Sequence, residues 1–234
     1  MNDNEPAAQH SDQRSWGMGH WIVVIATGLL ALAYITAGNG YIGRKSPQFK
    51  GASNARQIVG LMLTFASDNS GMYPDSLPQP GAVTANQAFR HLCQEGLVKD
   101  ETLFGCPQSS LLPDKNIGHG PGYAQFLMPG ENHWMLLSGM SNMDPSLHPL
   151  VFENATSTVW PPQWLRFSPP GLTLNPLRPR GAAWGDEKVI VALNDGSVEM
   201  VKLVPKGSLL ELPVIFFKLK GRSLSRATTV LDIE

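Results

Sequence analysis

Residues 21–37 read WIVVIATGLLALAYITA, seventeen positions with two Thr as polar interruptions, and no Asp, Glu, Lys or Arg occurs from Trp16 to Gly43. At 1.5 Å per residue the run covers about 26 Å, and extending it from Met18 to Gly40 passes the roughly 30 Å hydrocarbon core of a bilayer. The pattern therefore predicts one transmembrane helix with its flanks over residues 16–43, and a lipid bilayer as its partner. Trp16 and Trp21 at one end, with Tyr34 and Tyr41 toward the other, sit where amphipathic rings favour an interface. A cleaved signal peptide needs a basic leading region and small residues before the cut. Here residues 1–15, MNDNEPAAQHSDQRS, hold three acids against one Arg, and Ile35 is bulky where a small residue is needed. The leading stretch reads as a flexible tail. Basic residues flank the span unevenly, Arg14 before it against Arg44, Lys45, Lys50 and Arg56 after it. That count alone puts the large domain in the cytoplasm.

Beyond the span, Gly38-Asn39-Gly40 and Pro47 are expected to interrupt the helix, and SNARQIVGLMLTFAS (53–67) to restart it with Ser53 as cap. Ile58, Met62 and Phe65 recur at helical spacing, so this amphipathic helix is expected to pack on a sheet. Asp68-Asn69-Ser70-Gly71 stops it. TANQAFRHLCQE (84–95) is a second helix with a Thr cap, closed by Gly96. Short apolar runs then predict strands at 123–128, 133–137, 149–152 and 189–193, and Asp195-Gly196 marks a tight hairpin. A further strand is expected within 209–220, interrupted at Pro213. The fold class is α+β, with a head over 44–204, a Pro-rich irregular loop over 160–181 and a C-terminal extension over 205–234.

Composition narrows the function. The net charge is −1 and only 16% of residues are charged, so there is no electrostatic footprint for nucleic acid. Twenty-three Gly and 19 Pro argue against an all-helical bundle. Six His show no HxxxH or HExxH spacing, which leaves zinc unsupported. LSGMSNM (137–143) is not a GxSxG elbow, and GHGPG (118–122) is not followed by a helix signal, so neither a hydrolase nor a phosphate loop declares itself. Asp186, Glu187 and Asp195 could converge on Ca²⁺ near the hairpin, although the region lacks an acid-dense ligand run. No catalytic, cofactor-binding or metal residue is assigned.

The chain resembles type IV pilin and type II secretion pseudopilin-like proteins of Verrucomicrobia and Planctomycetes. The resemblance rests on NARQIVGLMLTFASDNSGMYPDS (54–76), similar to the family's helix ending in an Asp-Asn-x-Gly-x-Pro-Asp type of turn. ANQAFRHLCQEGLVKDETLFGCPQ (85–108), HPLVFEN (148–154) and VIVALNDGSVEMVK (189–202) are similar to its second helix and Phe-x-Cys-Pro element, its central strand and its terminal hairpin. The Gly-Phe-Thr-Leu-Ile-Glu segment that family members carry at the membrane helix has no counterpart. GMGHWIVVIATG (17–28) contains no Glu, so the peptidase-processing and assembly residues do not carry over. The resemblance implies a pilin-like α+β head on the outer, periplasmic face of a bacterial inner membrane, in a single-pass protein. The protein is then a structural or interaction component of a cell envelope or secretion system with protein partners there. Two alternatives stand beside it: an envelope-located binding module that kept the head fold but does not assemble, and a hydrolase.

Two features remain as candidate sites. Cys93 and Cys106 form either a disulfide stapling the second helix to the next segment, which needs an oxidising compartment, or two unpaired thiols. Trp160, Trp164, Arg166 and Phe167 carry the aromatic and Arg content that interface centres favour. The same rings could instead cover the sheet of their own chain.

Overall fold

The computed structural model describes residues 18–77, 82–168, 176–216 and 229–234, without the side chains of 18–21, 24 and 35–46. The expected tail 1–15 lies outside the described residues, as do 169–175 of the Pro-rich segment and 217–220 of the run expected to add a late strand. The chain divides into two units, Met1–Lys45 and Ser46–Glu234.

Helix α1 (Met18–Asp68) begins in the first unit. Its described apolar side chains there run from Ile22 to Tyr34 and are exposed, Leu30 by 72% and Tyr34 by 83%. Among the described residues no helix is long and apolar enough to cross a membrane. The expected transmembrane helix over 16–43 is corrected on that ground, and with it the single-pass inner-membrane location and the membrane and secretion character attached to it. A second correction concerns the break: α1 runs through Gly38–Gly40 and holds Pro47 inside it. Proline deletes one helical N–H and crowds the preceding turn, but the turns that follow are fixed by packing. Ser53 is therefore an interior residue, accepting at its carbonyl and hydroxyl oxygens from Gln57 Nε2 at 3.2 and 3.3 Å.

In the second unit, Ala55, Ile58, Val59, Met62, Phe65 and Ala66 of α1 are buried. Their spacing is that of one helical face. Its floor is a five-stranded antiparallel sheet in the order β5-β4-β2-β1-β8. The strands are β1 (Trp134–Leu137), β2 (Pro149–Glu153), β4 (Lys188–Leu193), β5 (Val198–Lys202) and β8 (Val230–Leu231). A Cβ on Gly51 would lie 2.7 Å from Ile190 Cδ1 and 2.9 Å from Cys106 Sγ. Gly51 thus lets α1 approach β4 closely. The α1 stop is as expected, with Ser70 at φ 54° and Gly71 at φ 85° in the left-handed region. Helix α2 (Ala85–Gln94) starts at Thr84, whose Oγ1 accepts from Gln87 N at 3.2 Å, and buries Ala88, Phe89, Leu92 and Cys93. The β4–β5 hairpin turns at Asp195-Gly196, with Gly196 at φ 82°.

Three expectations about strands change. Residues 123–128 form turns, with Tyr123 and Leu127 at positive φ, because Gly120, Pro121, Gly122 and Pro129 bound a run too short to pair. The Pro-rich segment contributes β3 (Gln163–Trp164), which pairs with β7 (Leu209–Glu211), itself paired with β6 (Val204–Lys206) in a second antiparallel sheet. The stretch after residue 204, expected as an extension, therefore supplies strands to both sheets of the unit. Pro213 lies between β7 and a short 3-10 turn, Val214–Phe216, where the missing N–H ends the ladder.

Candidate functional site

The densest group of chemistry-bearing side chains among the described residues surrounds Glu153, the last residue of β2 and the only charge in the run PLVFE. The strand buries all five of these positions, so its closing carboxylate is fixed inside the core. Glu153 Oε1 accepts from Arg178 Nη2 at 2.7 Å and from His133 Nε2 at 3.0 Å. Oε2 accepts from Trp184 Nε1 and from Ile190 N, each at 2.9 Å. Arg178 also donates to Ala182 O at 2.9 Å, and its guanidinium stacks 3.7 Å from the centre of the Trp184 ring. Burial alone would raise the Glu153 carboxyl, but the Arg178 charge and the donated hydrogen bonds outweigh it and bring it down to about 2. It is a carboxylate.

The proton on His133 can be placed by its neighbours. Gly181 N donates to Asn154 Oδ1 at 2.5 Å, which turns the amide nitrogen of Asn154 toward His133 Nδ1, 2.9 Å away. Nδ1 therefore accepts, and the ring proton sits on Nε2, where it is donated to Glu153. Burial holds the imidazole below its ordinary pKa, with Glu153 offsetting this only in part. His133 is neutral.

Ser109 Oγ lies 2.8 Å from the same Nδ1, so Ser109, His133 and Glu153 stand in the order of a hydrolase relay. The surroundings do not suit that chemistry. Ser109 is 1% exposed, and the one lone pair of Nδ1 is already shared with Asn154. The Glu153 charge is met by Arg178 rather than kept for an imidazolium. Cys106, His133 and Glu153 also bring ligand atoms within 4.8 Å of one another. A metal there would need a thiolate and room for a cation, whereas burial and the Glu153 charge push the Cys106 thiol far above its usual range. The Arg178 guanidinium already occupies the cationic position, 3.8 Å from Cys106 Sγ. What the arrangement does is tie the segment 178–184 and the 106–109 turn to the central strand.

A second convergence joins Glu101, Asp114 and Glu131, whose oxygens lie within 4.8 Å of one another. Glu101 is fully buried and accepts from the backbone N–H groups of Lys115 at 2.5 Å, Asn116 at 3.2 Å and Leu127 at 3.2 Å. Burial raises its carboxyl pKa, the N–H groups lower it, and Asp114 raises it further. The carboxylate organises a loop that has few apolar residues of its own.

The sequence candidates are dispersed. Cys93 and Cys106 are free thiols, both buried, so the disulfide is corrected: one packs in the α2 face and the other in the Glu153 cluster. Trp164 is fully buried, with its ring 6.3 Å from that of Phe152, and Trp160 packs at 6.4 Å from the same ring. Arg166 pairs with Glu187 at 3.1 Å, and Phe167 is half-buried. The rings are thus divided between the core and its margin instead of forming one surface. Asp186 pairs with Lys188 at 2.8 Å, and Asp195 Oδ1 accepts Ser197 N within its own turn at 2.8 Å. Those acids are not brought together as Ca²⁺ ligands among the described residues. Sequence reasoning missed Glu153, His133 and Ser109. The available signal was an acid ending an otherwise apolar strand, which needs a buried cation elsewhere in the chain. No family model matches the chain, and no curated protein or solved structure is found to be similar to it.

Proposed function

We propose that this protein is a non-enzymatic assembly component, a structural or interaction subunit of the general kind the pilin-like resemblance implies. It associates with copies of itself through the apolar stretch of α1. The observation that carries this reading is the exposure of Ile22, Val23, Ile25, Leu29, Leu30 and Tyr34, each by 59% or more. At 100° per residue these side chains spread over about 180° of the helix, wider than the roughly 100° stripe that one packing face uses. A surface of that width fits more than one neighbouring helix. Covering each large side chain contributes about 1.5–3 kcal/mol, and contiguous exposed apolar surface marks an interaction site.

The Glu153 cluster supports the non-enzymatic part, since the carboxylate is held by Arg178, His133, Trp184 and the Ile190 N–H inside the core. Site-specific cross-linking tests the reading. With Cys introduced singly as Ile22→Cys, Ile25→Cys or Leu30→Cys, a bismaleimide is expected to link copies of the full chain from more than one of these positions. The buried native thiols stay silent. Failure to cross-link from any of the three contradicts it.

A further inference from the structure

Strand β5 is one edge of the five-stranded sheet. Leu193 N donates to Ser197 O at 2.8 Å and Leu203 N to Glu187 O at 2.9 Å, which fixes the alternation between them. Glu199 and Val201 turn their backbone groups to β4, and Val198, Met200 and Lys202 turn theirs outward. Those outward N–H and C=O groups enter no hydrogen bond among the described residues. The outer side of β5 is therefore an open ladder that a further extended strand can join.

The two faces of this edge differ in charge. Ile190 stands opposite Met200, and a Cβ on Gly51 of α1 would meet the Ile190 Cδ1 at 2.7 Å. Val198, Met200 and Lys202 therefore share the α1 face, and Glu199 and Val201 the other. Beside the edge on the α1 face runs the helical stripe Ala52, Arg56 and Leu63, placed there by Leu63 Cδ1, which lies 3.7 Å from where a Cβ on Gly196 would stand at the hairpin tip. Arg56 is five residues beyond Gly51, about 7.5 Å along the helix, and so level with Val198, two strand positions from Met200. Arg56 and Glu199 are exposed, and neither enters an ion pair among the described residues. Lys202, by contrast, is already held by Glu187 at 3.1 Å and by Asp186 O at 2.8 Å.

We propose that β5 is a strand-addition site for an extended segment of another polypeptide that carries a base and an acid at adjacent positions. Paired antiparallel, as the strands of this sheet are, the segment sets its acid opposite Val198, beside Arg56, and its base opposite Glu199 on the other face. A second copy of this chain fits less well. Full antiparallel pairing of β5 with itself, centred on Met200, would bring the copy's Lys202 opposite Val198 and so beside Arg56, and would give Glu199 only the copy's Val201. The inference stands apart from association through residues 22–34, because every residue it uses lies in the second unit.

Fluorescence anisotropy with the full chain tests it. The probe is the N-terminally labelled, C-terminally amidated peptide Thr-Val-Val-Lys-Glu-Thr, which in that register sets its Lys opposite Glu199 and its Glu opposite Val198. The control exchanges those two residues and keeps the composition. The probe is expected to bind about tenfold more tightly than the control. The double reversal Arg56→Glu/Glu199→Lys should invert that preference, whereas Lys99→Glu, beside the opposite flank of α1, leaves it unchanged. N-methylation of the probe's second Val, opposite Met200, should weaken binding because that amide faces β5; N-methylation of its Lys, whose amide faces away, should not. No binding, equal affinity for the two peptides, or a preference that survives the double reversal would overturn the proposal. Interchain disulfide formation through Met200→Cys, with neither peptide bound, would assign the edge to a second copy and overturn it as well.

Discussion

Glu153 and Arg178 meet at 2.7 Å with side chains only 1% and 2% exposed, and this pair joins the central strand to the far end of the Pro-rich segment. A buried charge is tolerated only when it is paired and hydrogen-bonded, and here Trp184, His133 and the Ile190 N–H complete the shell of the carboxylate. The pair's contribution is positional: together with the buried Ala182, Ala183 and Trp184 it fixes residues 178–184 against β2.

Removing one partner leaves the other charge buried and unmatched. Arg178→Met and Glu153→Gln are each expected to cost about 3–5 kcal/mol of stability, measured by urea denaturation. The double variant Glu153→Leu/Arg178→Met should lose less than the sum of the two single losses.

The cluster also sets an acid response. His133 has a folded pKa below its unfolded value of 6.5, and Glu153 lies at about 2 against 4.5. For both groups the unfolded chain binds protons first. Their contribution is therefore complete above about pH 6.5 and falls with pH, through His133 first and then through Glu153 between about 4.5 and 2. Asp75 and Glu101, raised chiefly by burial, contribute with the opposite sign. The difference between wild type and His133→Asn isolates the first decline. Thermal denaturation between pH 7.5 and 5 is expected to show a smaller drop in Tm for the variant.

Close approach of α1 to β4 depends on one missing methyl. Gly51→Ala places a carbon against Ile190 Cδ1 and Cys106 Sγ, and is expected to destabilise by about 1–3 kcal/mol. Ile190→Val removes the obstructing Cδ1. In the Gly51→Ala background it should recover part of the loss, although on its own it destabilises.

The Pro-rich segment separates by burial. Trp164→Ala is expected to cost about 3–5 kcal/mol as a core truncation, whereas Arg166→Ala stays within about 0.5 kcal/mol because its ion pair is exposed. Equal losses would contradict the division of these residues between core and surface.

Much of the second unit was readable from local pattern. The Thr84 cap, the Asp68–Gly71 stop, the Asp195-Gly196 turn and the runs that become β1, β2 and β4 all carry their information within a few residues. What escaped depends on distant partners. Arg178 carries no local sign of its role because the acid it neutralises lies 25 positions away. Trp164 sits in an irregular Pro-rich stretch and is buried by a pairing with β7 that no periodicity announces. The cysteines, twelve residues apart between them, invited a bridge, whereas one side chain faces the α2 core and the other the Glu153 carboxylate.

Association through α1 is tested most directly by sedimentation equilibrium of the full chain without detergent, beside the variant Leu29→Glu/Leu30→Glu. The expected result is reversible, concentration-dependent self-association of the wild type, with the variant monomeric and its head still folded by circular dichroism. A wild-type chain that stays monomeric at every concentration, or an association that both substitutions leave intact, would contradict it.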